Sequence, residues 1–551
     1  MAPTSREVSY LSKFDGGLNL TDQTQSLLPN QSPDCLNVDF GIRKGFVLRG
    51  GFRHQVDSGE FVGARVVLGA DNVVLGPSGV IWAEGARSLS GFRFISVAAD
   101  GDSVLVQSVE GDLFDWDGAA LTDTLVDVTE FDKRVRMANH NGLSYMANGR
   151  FSSDAPSSIV MNRWDGTTLT ALGDSWDENH VSSSGSNMPK AEHIVQWRGY
   201  MWVAGTYEVT DSYTNRLRFS HLQFPESWSI DDYFDVGDSK GEVEPITGIF
   251  PFQDKLVIFK KGEVWLLTGH DPDTFVLNPL TNASGISTSE AVDSNAGVLY
   301  WFSTDGQLMA FNGEGVVPLS EPIAYWSDIG KILRGGSHQL MWADGRLYLS
   351  LEAGPAATED RLLFLWSPSA RAFTRYDREV ADMIFWRRTG SFADSLFLDL
   401  AGTNIFRYDQ SYEYDSSFDT ASIRIDGHYR TAWISEGETA TKKRWKRPRV
   451  TAAASETTTI QLEVFHDMQD LTPTRQIQFP ITRSSAGASL WDAMLWDTGF
   501  WSGDTEEAYA FQRTPSAGSA YAVSFKFSSA DNPGRWWVDS IAIPFRRKQV
   551  R

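Results

Sequence analysis

From about residue 60 onward, short apolar or aromatic runs recur between turn dipeptides, with very few long stretches of helical spacing. Asp100-Gly101, Asp117-Gly118, Asp165-Gly166, Asp305-Gly306, Asp344-Gly345 and Asp426-Gly427 each lie beside a strand-like run. Such pairs tolerate the positive φ angles of tight hairpin turns, so they are expected at hairpin tips. A plan of apolar strand, turn and aromatic-bearing strand repeats over residues 103–116, 255–267, 298–311 and 347–366. It returns around 66–82, 143–164, 200–228 and 383–408. These units, about seven or eight of roughly 35 to 50 residues, have the size of propeller blades. The Trp-Asp pairs beginning at Trp116, Trp164 and Trp176 are irregularly spaced and lack the Gly-His partner of a WD40 repeat.

The expected fold class is all-β: an extended N-terminal arm over 1–58, a large β-propeller-like domain over 59–412, and a C-terminal β-sandwich over 413–551. Gly16-Gly17 permits tight turns, and Pro29 and Pro33 resist strand pairing, so the first segment reads as turn-rich. The polar, acidic run 409–419 suits an exposed connection. After it, strand-like alternation returns over 423–433, 457–464, 475–481, 521–527 and 536–544.

With 49 basic against 71 acidic residues, a net charge of -22 repels nucleic acid rather than binding it. The same charge suits a wall along which DNA slides without sticking. Cys35 is the sole cysteine, which excludes an intramolecular disulfide and a Cys-rich zinc site. The polar start, Met1 to Tyr10, lacks the apolar run of a signal peptide. No run of about 18 apolar residues follows, so no membrane is expected as a partner and synthesis is expected in the cytoplasm.

No nucleophile elbow, metalloprotease helix, phosphate-binding loop or Ca²⁺ loop occurs, so neither an enzyme nor a cofactor is expected. A hidden pair of carboxylates for glycoside hydrolysis leaves no sequence signature and stays open. The acidic group Asp231, Asp232, Asp235, Asp238, Glu242 and Glu244 lacks Ca²⁺-loop spacing and reads as a solvated loop. Aromatics here pack in the core or, where exposed on propeller loops, stack on sugars; Trp491, Trp496 and Trp501, which recur every five residues, a period of neither strand nor helix, are the best candidates to leave the core. Lys442, Lys443, Arg444, Lys446, Arg447 and Arg449 stand out against the acidic chain. They read as a protected edge strand, as a contact for an acidic partner such as a second copy, or as a phosphate site.

The sharpest pattern is N-terminal: Phe14-Asp15-Gly16-Gly17-Leu18-Asn19, Leu28-Pro29-Asn30-Gln31-Ser32-Pro33, Asn37-Val38-Asp39-Phe40, and Lys44-Gly45 before Arg49-Gly50-Gly51-Phe52. With Arg216-Leu217-Arg218-Phe219-Ser220, Pro225-Glu226-Ser227-Trp228, Gly285 to Ser289, Val298 to Gly306 and Leu319 to Ile323, it resembles the tail tubular or nozzle proteins of tailed bacteriophages. Arg430 to Trp433 and Lys442 to Arg449 are similar to their closing sandwich. The resemblance implies a structural virion protein located in the tail. It would be a homo-hexamer docked on a head-to-tail adaptor or tail tube protein, with tail fibre or spike proteins as further partners. Genomic DNA would pass through it without specific binding. It also implies subunit or adaptor contacts at Phe14, Gly16, Gly17, Asn19 and Asn37 and in the basic run. A glycan-binding tail-tip propeller is the alternative.

Overall fold

The computed structural model describes residues 7–547 except 25, 41–44, 55–64, 69–70, 76–80, 84–87, 90–92, 109–110, 118–120, 128–133, 149–160, 173–188, 209–210, 238–243, 281–283, 388–392, 401–404, 410–413, 417–421, 438–440, 455–457, 470–471, 482–509, 514–516 and 530–534. Among these residues the chain is almost entirely β and forms a β-propeller. Seven sheets, here blades I to VII, begin at the inner strands Arg93–Val97, Arg136–His140, Lys190–Trp197, Gly248–Phe252, Val292–Asn295, Gln339–Ala343 and Val380–Arg387. Each carries four antiparallel strands, and each unit read from the repeat covers the middle of one four-stranded sheet.

The ring closes where the inner strand of blade VII meets that of blade I. There Trp116 packs on Trp386, with ring centroids 5.4 Å apart, inside a cluster of Phe94, Val104, Phe114 and Leu396. An eighth sheet, from Arg65–Leu68 to Ser88–Leu89, stands outside the ring with its first strand against the outermost strand of blade I, Leu121–Asp127. Blade VII is completed by the strand Gly51–His54, which pairs with Ile405–Asp409. The propeller is thus closed by residues from both ends of its sequence.

The N-terminal arm does not stand off from the fold. Glu7–Leu11 and Phe46–Leu48 pair with the long strand Trp536–Arg547, and Cys35–Leu36 pairs with His428–Arg430. The sandwich therefore borrows strands from the arm in both of its sheets. The cause lies in the arm's apolar residues: Phe14, Val38, Phe46 and Leu48 are almost wholly buried in a core shared with blades V and VI and the sandwich. Phe46 stacks on Tyr429 at 4.4 Å and meets Phe14 edge-on at 5.3 Å. Such aromatic pairs add about 0.5–1.5 kcal/mol each beyond area burial.

Arg49 fastens the arm, the last blade and the connection to the sandwich. Its side chain is fully buried and donates to both oxygens of Asp415 at 2.8 and 2.7 Å, to Asp377 at 3.1 Å and to Asn37 Oδ1 at 2.9 Å. Asp415 also accepts the Phe52 amide at 2.9 Å, fixing the start of the closing strand. The acidic run expected to be an exposed connection thus contains a buried anchor, because Arg49 and Phe52 replace the water Asp415 gives up. Removing one partner of a buried ion pair leaves the other charge uncompensated, at a cost of about 3–5 kcal/mol. Arg49→Ala is expected to lower unfolding stability by about that amount in urea denaturation.

Candidate functional site

Charged residues at or near the starts of the inner strands of blades II, V and VII meet in one cluster. Arg134 and Arg136 approach from blade II, and Glu290 from the entry to blade V, across the ring of seven. Arg134 Nε and Arg136 Nε each lie 3.3 Å from Glu290 Oε1. Arg136 also donates to Ser289 Oγ. Arg134 Nη2 reaches both oxygens of Asp382, on blade VII, at 3.1 and 3.0 Å, and the Phe94 carbonyl, on blade I, at 3.1 Å. Asp382 Oδ2 in turn accepts the Phe94 amide at 2.9 Å, so one carboxylate holds the seam between the last and first blades.

This cluster is a transverse brace rather than an exposed acid-base pair. Burial works to raise the Glu290 carboxyl, but Arg136 and Arg134 outweigh it and hold the group well below the usual carboxylate range. His193, on blade III, gives its Nε2 to the Ile246 carbonyl at 3.1 Å. Burial first, then the Arg136 charge, pushes its pKa down to about 3, so the ring is neutral. On the inner strand of blade V Asp293 accepts amides of Trp342 and Ser294, yet burial pushes it up to about 6. Among the described residues no group of three or more His, Cys, Asp or Glu is arranged to hold a metal ion. No helix there is long and apolar enough to cross a membrane.

The residues expected from sequence to touch neighbours are distributed differently. Phe14, Asn19 and Asn37 are buried within the chain. A Cβ on Gly17, at φ +65°, would lie 2.6 Å from Ala372 Cβ and 2.7 Å from the Phe373 carbonyl oxygen, so glycine there admits blade VI. Gly16 donates its amide to the Asn30 carbonyl at 3.0 Å. Asn37, at φ +55°, accepts from Arg49 and the Asp377 amide at 3.1 Å and donates to the Asp426 carbonyl at 2.7 Å. In the basic run Lys443 is buried, Lys446 and Arg449 are half-buried, and Lys442, Arg444 and Arg447 are exposed. The strand Lys443–Trp445 lies between Trp536–Arg547 and Gly518–Ala520, so it is not the edge that its charges suggested.

Motifs far apart in sequence meet in space. The Leu20 amide donates to the Pro322 carbonyl at 2.7 Å, joining the arm to the Leu319 to Ile323 stretch. Glu226 accepts from Arg163 at 2.5 Å and from Tyr145 at 3.1 Å, stitching blade III to blade II. Buried Arg218 is gripped by Glu208 at 2.6 and 2.7 Å. The acidic group near residue 235 disperses: Asp235 binds Arg216, Glu244 accepts the Gly262 amide, and Asp238 and Glu242 lie outside the described residues. Trp491, Trp496 and Trp501 lie outside them too.

No family model matches the chain, and no curated protein matches it. Among solved structures it is similar to BamB from Moraxella catarrhalis, at 10% identity over 63% of this chain and 95% of that one, with a TM-score of 0.37. It is similar to YCF48 bound to D1 peptide, at 10% identity over 59% and 97%, TM-score 0.35. The same holds for a chain of a mitotic checkpoint complex, at 11% identity over 58% and 89%, TM-score 0.35. They say nothing of partners or chemistry.

The depressed His193 pKa has a definite sign. Between pH 6.5 and about 3 the unfolded chain binds a proton at His193 that the folded chain refuses, so the stability it contributes is present above pH 6.5 and lost as pH falls. Relative to His193→Gln, the native chain is expected to lose up to about 1.4 kcal/mol of unfolding free energy per pH unit in that window. Urea titrations at several pH values measure this.

Proposed function

We propose that this chain is an architectural protein of a bacteriophage tail, a nozzle-type segment. Its copies form a ring that joins an adaptor or tail tube to distal fibres or spikes and lines the passage for the genome. The observation that supports this best is the placement of the motifs carrying the resemblance: Asn37, Arg49 and Phe52 lock the propeller's closing strand, and Leu20 meets Pro322. They serve cohesion between the propeller and the sandwich, as a wall that withstands a passing genome requires.

The axial brace supports the same reading. A propeller axis crossed by Arg134, Glu290 and Arg136 offers no open bore for a duplex, so the genome's path is the lumen enclosed by several copies. An excess of 22 negative charges would repel phosphate along that path. Electron microscopy of intact tails, with this chain located by a bound antibody fragment, tests the reading. The expected result is a closed ring around the tail axis. Isolated copies at the periphery or at the tip would overturn it in favour of host-glycan binding.

A further inference from the structure

The outward face of the larger sandwich sheet collects like charges in an acidic chain. Arg444 stands directly opposite Arg546 in the antiparallel register, and both are exposed. Two positions along, on the same face, Lys442 lies 5.6 Å from the ring of Tyr521, itself 42% exposed. Like charges directly opposite each other in a sheet repel, and since this strand is interior the charges are not explained by protecting an edge. The face is complementary to an acidic surface that carries some apolar area.

This chain presents such a surface on blade III. In its outer strand, Phe224–Asp235, the ladder jumps from Tyr233, opposite Arg218, to Trp228, opposite Ser220. Four residues, Ser229 to Asp232, therefore stand against Phe219 alone as an enlarged bulge, a device that re-aims side chains. The bulge is braced from beneath, for Arg218, held by Glu208, donates to the carbonyls of Ser229 and Ile230 at 3.2 and 2.9 Å. Above the brace Ile230, 39% exposed, and Asp231 face solvent. Asp232 lies beside them, its Oδ2 3.8 Å from His221 Nε2. The sandwich packs on blades V and VI, away from blade III, so the two faces belong to different sides of the molecule.

We propose that copies of this chain associate head to tail, the Lys442, Arg444 and Arg546 face of one copy seated on the Ile230 to Asp232 bulge of the next. A contact between two different surfaces propagates, and it closes into a ring when the rotation per step divides a full turn. The proposal rests on the ring reading above and names its faces.

The test is reciprocal charge reversal in the full-length chain, read by light scattering and sedimentation over a concentration series. Arg444→Glu alone and Asp231→Lys alone are each expected to weaken self-association by about tenfold or more, and the double variant to restore it. Arg546→Glu, also exposed, repeats the first arm, and circular dichroism confirms that each variant is folded. Assembly indifferent to these reversals, or not restored in the double variant, overturns these faces while leaving the ring standing. A native chain still monomeric at about 100 µM overturns both.

Discussion

A guanidinium with no access to water, Arg49, sits where three parts of this molecule converge. It is bracketed by Phe52 and Tyr376, each ring 5.1 Å from its central carbon, and charge-paired with Asp415 and Asp377. Beside it Asp39, also buried, pairs with Arg346 at 2.7 Å and accepts the Tyr376 hydroxyl. Burying such charges is costly unless the geometry is good and the remaining hydrogen bonds are made, and here they are. Burial alone would raise the Asp415 carboxyl, but Arg49 and Arg378 hold it below the usual carboxylate range. The buried pairs tie the arm, the closing strand of blade VII and the start of the sandwich into one arrangement.

Closure by a strand from the far end of the sequence supplies the fourth, outermost strand of the last blade. The same economy appears at the axis, where Asp382 fastens blade VII to blade I and Arg134 spans toward blade V. In both places charges are satisfied by partners across long sequence separations.

The repeating strand-turn plan was legible because it is local. Asp344-Gly345, with φ of +52° and +74°, makes the two-residue hairpin its chemistry promised. Equivalent turns at Arg198-Gly199 and Ala296-Gly297 were less visible, because their first residues seldom take a positive φ, whereas Asn141-Gly142 forms the same turn from as strong a signal as Asp-Gly. Asp426-Gly427 misled: its glycine allows close approach to Leu48 and the Asn37 carbonyl rather than a hairpin tip. The arm's strands span two to five residues, and Glu7–Leu11, Cys35–Leu36, Phe46–Leu48 and Gly51–His54 find partners hundreds of positions away, so no local period announces them. The brace was hidden likewise, since Arg134, Glu290 and Asp382 share no spacing and meet only once the ring has closed.

The strands between residues 7 and 54 are integral to the fold of the propeller and sandwich rather than an appendage. Amide hydrogen exchange across the intact chain measures this most directly. Amides of Glu7–Leu11, Phe46–Leu48 and Gly51–His54 are expected to exchange as slowly as those of their partners Trp536–Arg547 and Ile405–Asp409, and all to accelerate together in Arg49→Ala. Exchange in the arm at the rate of a free peptide, while its partner strands stay protected, would contradict it.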